Sequence, residues 1–155
     1  MIKVINCNCI KIYFCCLLIL AFKMNKKEIE NREDVYLLVS TFYDKIKADD
    51  FIGPIFLKTI PDETWESHLQ KLTDFWETNL FFVRKFKGNP MKVHKDVDRN
   101  FNHSISQEHF GRWLQLWFET IDSLFYGTKA HEAKERARNI ASMLFFKMFD
   151  AKPKY

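Results

Sequence analysis

Phe86-Lys87-Gly88-Asn89-Pro90-Met91-Lys92-Val93-His94 is the stretch on which the reading of this chain turns. Gly88, Asn89 and Pro90 favour turn geometries and end whatever precedes them. Pro90 has its φ preset for the first turn of a new helix. His94 follows one turn later, so a short turn-anchored helix presents one imidazole at a fixed height over a pocket. An isolated histidine in such a place would read as a solvated loop residue. Here four amphipathic helical patterns flank the stretch and set other polar groups on apolar faces.

Working outward, Val35, Leu38, Val39, Phe42 and Ile46 keep the i, i+3, i+4 spacing of a helix beginning near Asp34, with Tyr43 at the edge of the stripe. Phe51 to Phe56 makes a tight apolar corner through Gly53-Pro54. Pro61-Asp62 reads as a helix start with Asp62 as N-cap. Trp65, His68, Leu69, Leu72, Phe75, Trp76 and Asn79 form the next stripe, which puts His68 on the buried face. After the central stretch, residues 95 to 104 read as a polar loop. Ser104 or Ser106 caps the next helix, and Ser104 with Gln107 has capping-box spacing. Phe110, Trp113, Leu114, Trp117, Ile121, Leu124 and Phe125 give a wide apolar face, closed by Gly127 as a C′ residue. The last helix runs from about Lys129 to Phe149, with alanines early and bulky residues late. No strand alternation or repeat is present, so the body is all-α.

The 155 residues suit one domain with a sizeable core. Aromatics reach 16%, with sixteen Phe and four Trp, as in a core that encloses something large and flat. The net charge of +4 resides mostly in Lys3, Lys11 and Lys23; without them 21 basic residues face 20 acidic ones. That balance argues against a broad nucleic-acid footprint. Cys7, Cys9, Cys15 and Cys16 all precede the body, so the body needs no disulfides and fits a reducing compartment, the cytoplasm. Their spacing is not a standard zinc pattern. The apolar run 12–22 is too short for a spanning helix and resembles a signal h-region with a poor cleavage site. We read residues 1–23 as an upstream mis-start, with a signal-like or anchor segment as the alternatives. Residues 24–33 are then a polar lead-in, 34–150 the folded domain and 151–155 a basic tail.

Tyr43, His68 and Trp113 sit on or beside apolar faces, and His94 on the short helix. Two histidines on different elements amid abundant Phe and Met suit a haem pocket, since a neutral imidazole binds iron axially. His103, His109 and His131 lie near helix ends or on polar stretches and read as solvated. His103 or His109 could replace His94 as ligand, but neither follows a turn-anchored helix. The other three Trp read as core.

The order and spacing of several motifs resemble the truncated haemoglobins of group III: Phe42-Tyr43-Asp44-Lys45, Gly53-Pro54-Ile55-Phe56, Trp65-Glu66-Ser67-His68, Asp74-Phe75-Trp76, Gly88 to His94, and His109 to Leu114. The resemblance covers roughly Asp34 to Phe149. It implies a truncated globin, a two-over-two helical sandwich around haem b, with His94 as proximal iron ligand. It implies Tyr43, His68 and Trp113 as a distal polar cluster. Phe56 would pack on the porphyrin, together with Leu72, Met91, Phe110 and Leu144. Lys92, Arg99 and Arg112 are the basic residues considered for the propionates. Gly111, inside a helix, departs from the pattern. The implied function is binding of oxygen, nitric oxide or carbon monoxide at ferrous iron. The alternative is a redox enzyme of peroxidase or nitric oxide dioxygenase type, with Tyr43 and Trp113 active in turnover. No nucleotide motif accompanies the domain, so that enzyme needs a separate electron-donor reductase. A di-iron bundle would need inward Glu-x-x-His pairs, and none occurs.

Overall fold

Asn31 opens the first helix: its side chain accepts the Asp34 amide at 3.0 Å, satisfying one of the donors that a helix start leaves free. The computed structural model describes residues 26–153. The apolar run, Met24 and all four cysteines therefore lie outside the described residues. The lead-in from residue 26 packs back on the body. Ile29 is buried, and the Lys27 backbone bonds to Leu124 and Tyr126.

Six α-helices follow. Helix α1 (Arg32–Lys47) buries Val35, Leu38, Val39, Phe42, Tyr43 and Ile46, the stripe expected from the spacing. The corner at Gly53-Pro54 is itself a short helix, α2 (Gly53–Thr59). A Cβ on Gly53 would stand 2.7 Å from the Ile46 carbonyl oxygen, so only glycine lets α2 approach the end of α1 this closely. Asp62 does not cap the next helix. It opens a 3-10 turn (Asp62–Thr64), and α3 (Trp65–Phe81) continues from it. Helix α4 (Pro90–Asn100) is longer than expected and takes up most of the presumed polar loop. Its polarity reflects a helix packed on one side only, with Lys92 and Asp96 paired at 2.7 Å along the outside. Ser106, rather than Ser104, precedes α5 (Gln107–Leu124), and Phe125 closes it. Gly127 does not end α5 but begins α6 (Gly127–Phe149). Its φ of +86° is left-handed, and a Cβ there would also strike Glu28.

Helices α1 and α3 form one layer and α5 and α6 the other; α1 crosses α5, and α3 packs on α6. This is a two-over-two sandwich. Trp117 sits at the crossing, fully buried, stacked on Trp76 at 4.4 Å and meeting Phe42 edge-on at 4.9 Å. Its Nε1–H donates to the Ala133 carbonyl at 3.4 Å. Ala130, Ala133 and Ala137 are buried where α6 comes in, as small residues permit. Among the described residues no helix is long and apolar enough to cross a membrane.

Candidate functional site

All six helices contribute to one mostly apolar cavity of about 270 Å³. Size and lining suit a cofactor or small ligand. Phe56, Leu72, Phe110 and Leu144 line it, as do Tyr43, His68, Trp113 and His94. Met91 does not; it faces a shallow outer depression with Lys92 and Arg99, because α4 turns its other side to the cavity.

His94 is held by its own helix. Asn89 caps α4 by accepting the Lys92 amide at 3.0 Å, and Pro90 occupies the first turn. One turn on, His94 Nδ1 lies 2.8 Å from the Pro90 carbonyl oxygen. A carbonyl only accepts, so Nδ1 carries the proton and Nε2 keeps its lone pair. Burial lowers the pKa of His94, against the Pro90 bond that raises it, which favours the neutral ring. The Phe110 ring stands 6.1 Å away.

Tyr43, His68 and Trp113 come from α1, α3 and α5. Phe42 links two of them, edge-on to both Tyr43 and Trp113 at 5.2 Å. Tyr43 meets His68 at 5.3 Å and Phe56 at 5.8 Å. Burial pushes the Tyr43 hydroxyl pKa up, so it stays protonated. Burial, helped by the Lys71 charge, pushes His68 down to about 4, so it is neutral near pH 7. His68 Nε2 is buried with no hydrogen-bond partner among the described residues, an orphan that points to a missing ligand.

The remaining histidines separate. His131 is exposed, as expected. His109 lines the cavity; its Nδ1 accepts the Ser106 amide at 3.1 Å, and its ring stacks on Phe51 at 4.4 Å. A side chain at the third position of a helix reaches back to the cap, which the helix-end position alone did not reveal. His103 is not free in solvent either. Its Nδ1 lies 2.8 Å from Asp98, a carboxylate only 2% exposed. Of the basic residues, Lys92 and Arg99 pair with Asp96, and Arg112 with Asp49 at 2.7 Å. None of the three lines the cavity; Lys71 does. Lys71 lies one turn after His68, a position that sequence reading passed over. No group of three or more His, Cys, Asp or Glu among the described residues could hold a metal ion unaided.

Two helix pairs packed around a mostly apolar cavity, with a half-buried histidine tied to its own helix, define a shortened globin. Known proteins agree. The chain is 33% identical over 119 residues to the group 3 truncated hemoglobin ctb of Campylobacter jejuni, covering 76% of this chain and 90% of the relative. The crystal structure of group III truncated hemoglobin from Campylobacter jejuni matches with a TM-score of 0.72 at 30% identity, over 83% of this chain and 99% of that one. No family model matches the chain. The chain belongs to the group III truncated haemoglobins and is a globin-type haem protein.

Proposed function

We propose that the chain binds haem b through His94 and takes up oxygen or another diatomic gas beneath Tyr43, His68 and Trp113. When bound, the haem would supply the iron that takes up such a gas. The observation that carries the reading is the His94 Nδ1 contact to the Pro90 carbonyl at 2.8 Å. It orients the ring and leaves Nε2 unprotonated, the form in which imidazole binds a metal. Phe56, Leu72, Phe110 and Leu144 line the site with hydrocarbon. Lys71 is the cation at the lining that would meet the haem carboxylates.

On the gas side the chain offers donors. Tyr43 keeps its proton at physiological pH, and Trp113 Nε1–H can only donate. Donors fixed in a dry site act more strongly on a ligand that gains negative charge than the same groups in water. His68 is neutral and has Nε2 unengaged, so it can either join them or swing aside.

Visible absorption of the purified full chain, oxidised and reduced, tests the proposal. A haem spectrum that shifts on adding carbon monoxide is expected. The His94→Ala protein should hold haem poorly and regain it with exogenous imidazole. A colourless protein that takes up no added haem overturns the reading.

A further inference from the structure

The chain carries no nucleotide motif to supply electrons, yet a gas-binding globin that oxidises to the ferric form must be re-reduced. We infer that the outer face of α4 docks an acidic one-electron donor protein; the inference rests on the haem reading above.

Between Arg84 and Arg99 the sequence has six basic residues and two acidic ones. Lys85 is paired with Glu77, and Asp98 is buried. Arg84, Lys87, Lys92 and Arg99 are exposed and Lys95 is half-exposed; of these, Lys92, Lys95 and Arg99 share one outer depression with the single carboxylate of Asp96. Asp96 bonds Lys92 at 2.7 Å and lies 3.3 Å from Arg99, so one negative charge is shared between two cations. Outside residues 1–23 the chain is close to balanced, so this local excess gives the body a directional field.

The patch also sits at the right place. Asn89, Met91, Lys92, Lys95, Asp96 and Arg99 share one depression, and Asn89 lines the main cavity as well. Val93 likewise lines the cavity yet is 51% exposed. The cavity therefore reaches the surface beside the cations. Met91 and Val93 add apolar contact among them, the mix of a transient interface: apolar centre and charged rim. A partner seated here is separated from His94 by one helix, about 10–12 Å across. Charge would steer its approach more than it would strengthen the complex.

The transfer itself is one electron. The reduced donor, taken as a [2Fe–2S] protein, is oxidised by one electron, and the ferric iron becomes ferrous; no bond breaks and no proton is needed.

Stopped-flow reduction of the ferric full-length haem protein by a reduced, acidic plant-type ferredoxin tests the docking. Such donors are strongly reducing. The second-order rate at low salt should fall about tenfold in Lys95→Glu/Arg99→Glu, within the range that steering supplies. The difference should vanish near about 1 M salt, where screening acts over about 3 Å. Lys134→Glu/Arg138→Glu carries the same charge change on α6 and should leave the rate near wild type. Haem absorbance checks that each variant is loaded, so a failure to bind haem is distinguished from a failure to dock. Equal rates for the α4 variant and wild type overturn the inference. So does loss of binding to phosphatidylserine vesicles with unchanged reduction, which would make the patch a membrane contact.

Discussion

The helix that carries His94 and the cluster around Tyr43 use their polar groups in opposite ways. On the inner side of α4 and at its end the polar groups are engaged within the protein. His94 is bonded to Pro90, and Asn89 to the Lys92 amide. Asp98 receives His103 Nδ1 at 2.8 Å and the Ile105 amide at 3.2 Å. Lys152, beyond α6, donates to the carbonyls of His103 and Ile105 at 2.7 and 2.9 Å and lies 3.5 Å from Asp98. Asn102 and His103 hold left-handed φ values of 54° and 60°, fixed by that clasp. In the other region Tyr43 and His68 are packed among rings, and His68 Nε2 has no partner. One region fixes a side chain in place. The other keeps its polar atoms available for something that arrives.

If that contrast is sound, mutations in the two regions should fail differently. The largest effect on stability is expected from Asp98→Ala. It leaves His103 and Lys152 without their anion and frees a strained loop, costing about 2–3 kcal/mol given their partial exposure. For a chain of this size that lowers the melting temperature by roughly 5–10 °C, measurable by calorimetry. Tyr43→Phe removes a hydroxyl that makes no bond to the described protein, so the haem-free protein should change by no more than about 0.5 kcal/mol. Its effect should appear in gas release instead. A hydrogen bond to a partly charged ligand contributes about 1.5–3 kcal/mol, so Tyr43→Phe and Trp113→Phe should each speed oxygen dissociation roughly ten- to hundredfold. The double variant should fall short of the product, because both donors share one acceptor. Unchanged release in both would erase the contrast.

The smallest effect is one of pH. His68 has a folded pKa near 4, below its ordinary value of 6.5. The unfolded chain therefore binds its proton more readily. The neutral ring's contribution is intact above about pH 6.5 and is lost as pH falls toward 4. Carboxylates held low against their burial, Asp49 by the Ile52 amide and then Arg112, Glu77 by Lys85 and Arg32, also cost stability in acid. The comparison is thus with His68→Leu, whose acid loss in urea titrations should be shallower than wild type. In the loaded protein the same substitution should alter gas entry more than release. A steeper acid loss in His68→Leu would mean that His68 is not buried neutral.

The same contrast explains what was legible in the sequence. The stripes on α1, α3, α5 and α6 follow from helical periodicity, and the start of α4 follows from Asn89-Pro90, because these signals are local. The placement of His94 was legible for that reason: its anchor, the Pro90 carbonyl, lies four residues away. Family resemblance, more than periodicity, brought Tyr43, His68 and Trp113 together, and the structure confirms only that they line one cavity. The extent of α4 was missed because its outer face is charged and its inner anchor is Asp98, whose partners lie up to 54 residues away at Lys152. The cavity-lining places of His109 and Lys71 were not legible, because a cap contact and a lining position depend on how helices meet. Gly127 was assigned to the wrong helix, since a left-handed glycine serves either boundary. Gly111 is exposed with open space where a Cβ would sit, and nothing in the structure explains a glycine there.

The most direct test of the central claim is the iron–imidazole stretching band of the ferrous protein by resonance Raman. The account predicts that the band is present in wild type and in His68→Ala, is absent in His94→Ala, and returns when imidazole is added to His94→Ala. A band that survives in His94→Ala but is lost in His68→Ala or His109→Ala would contradict it.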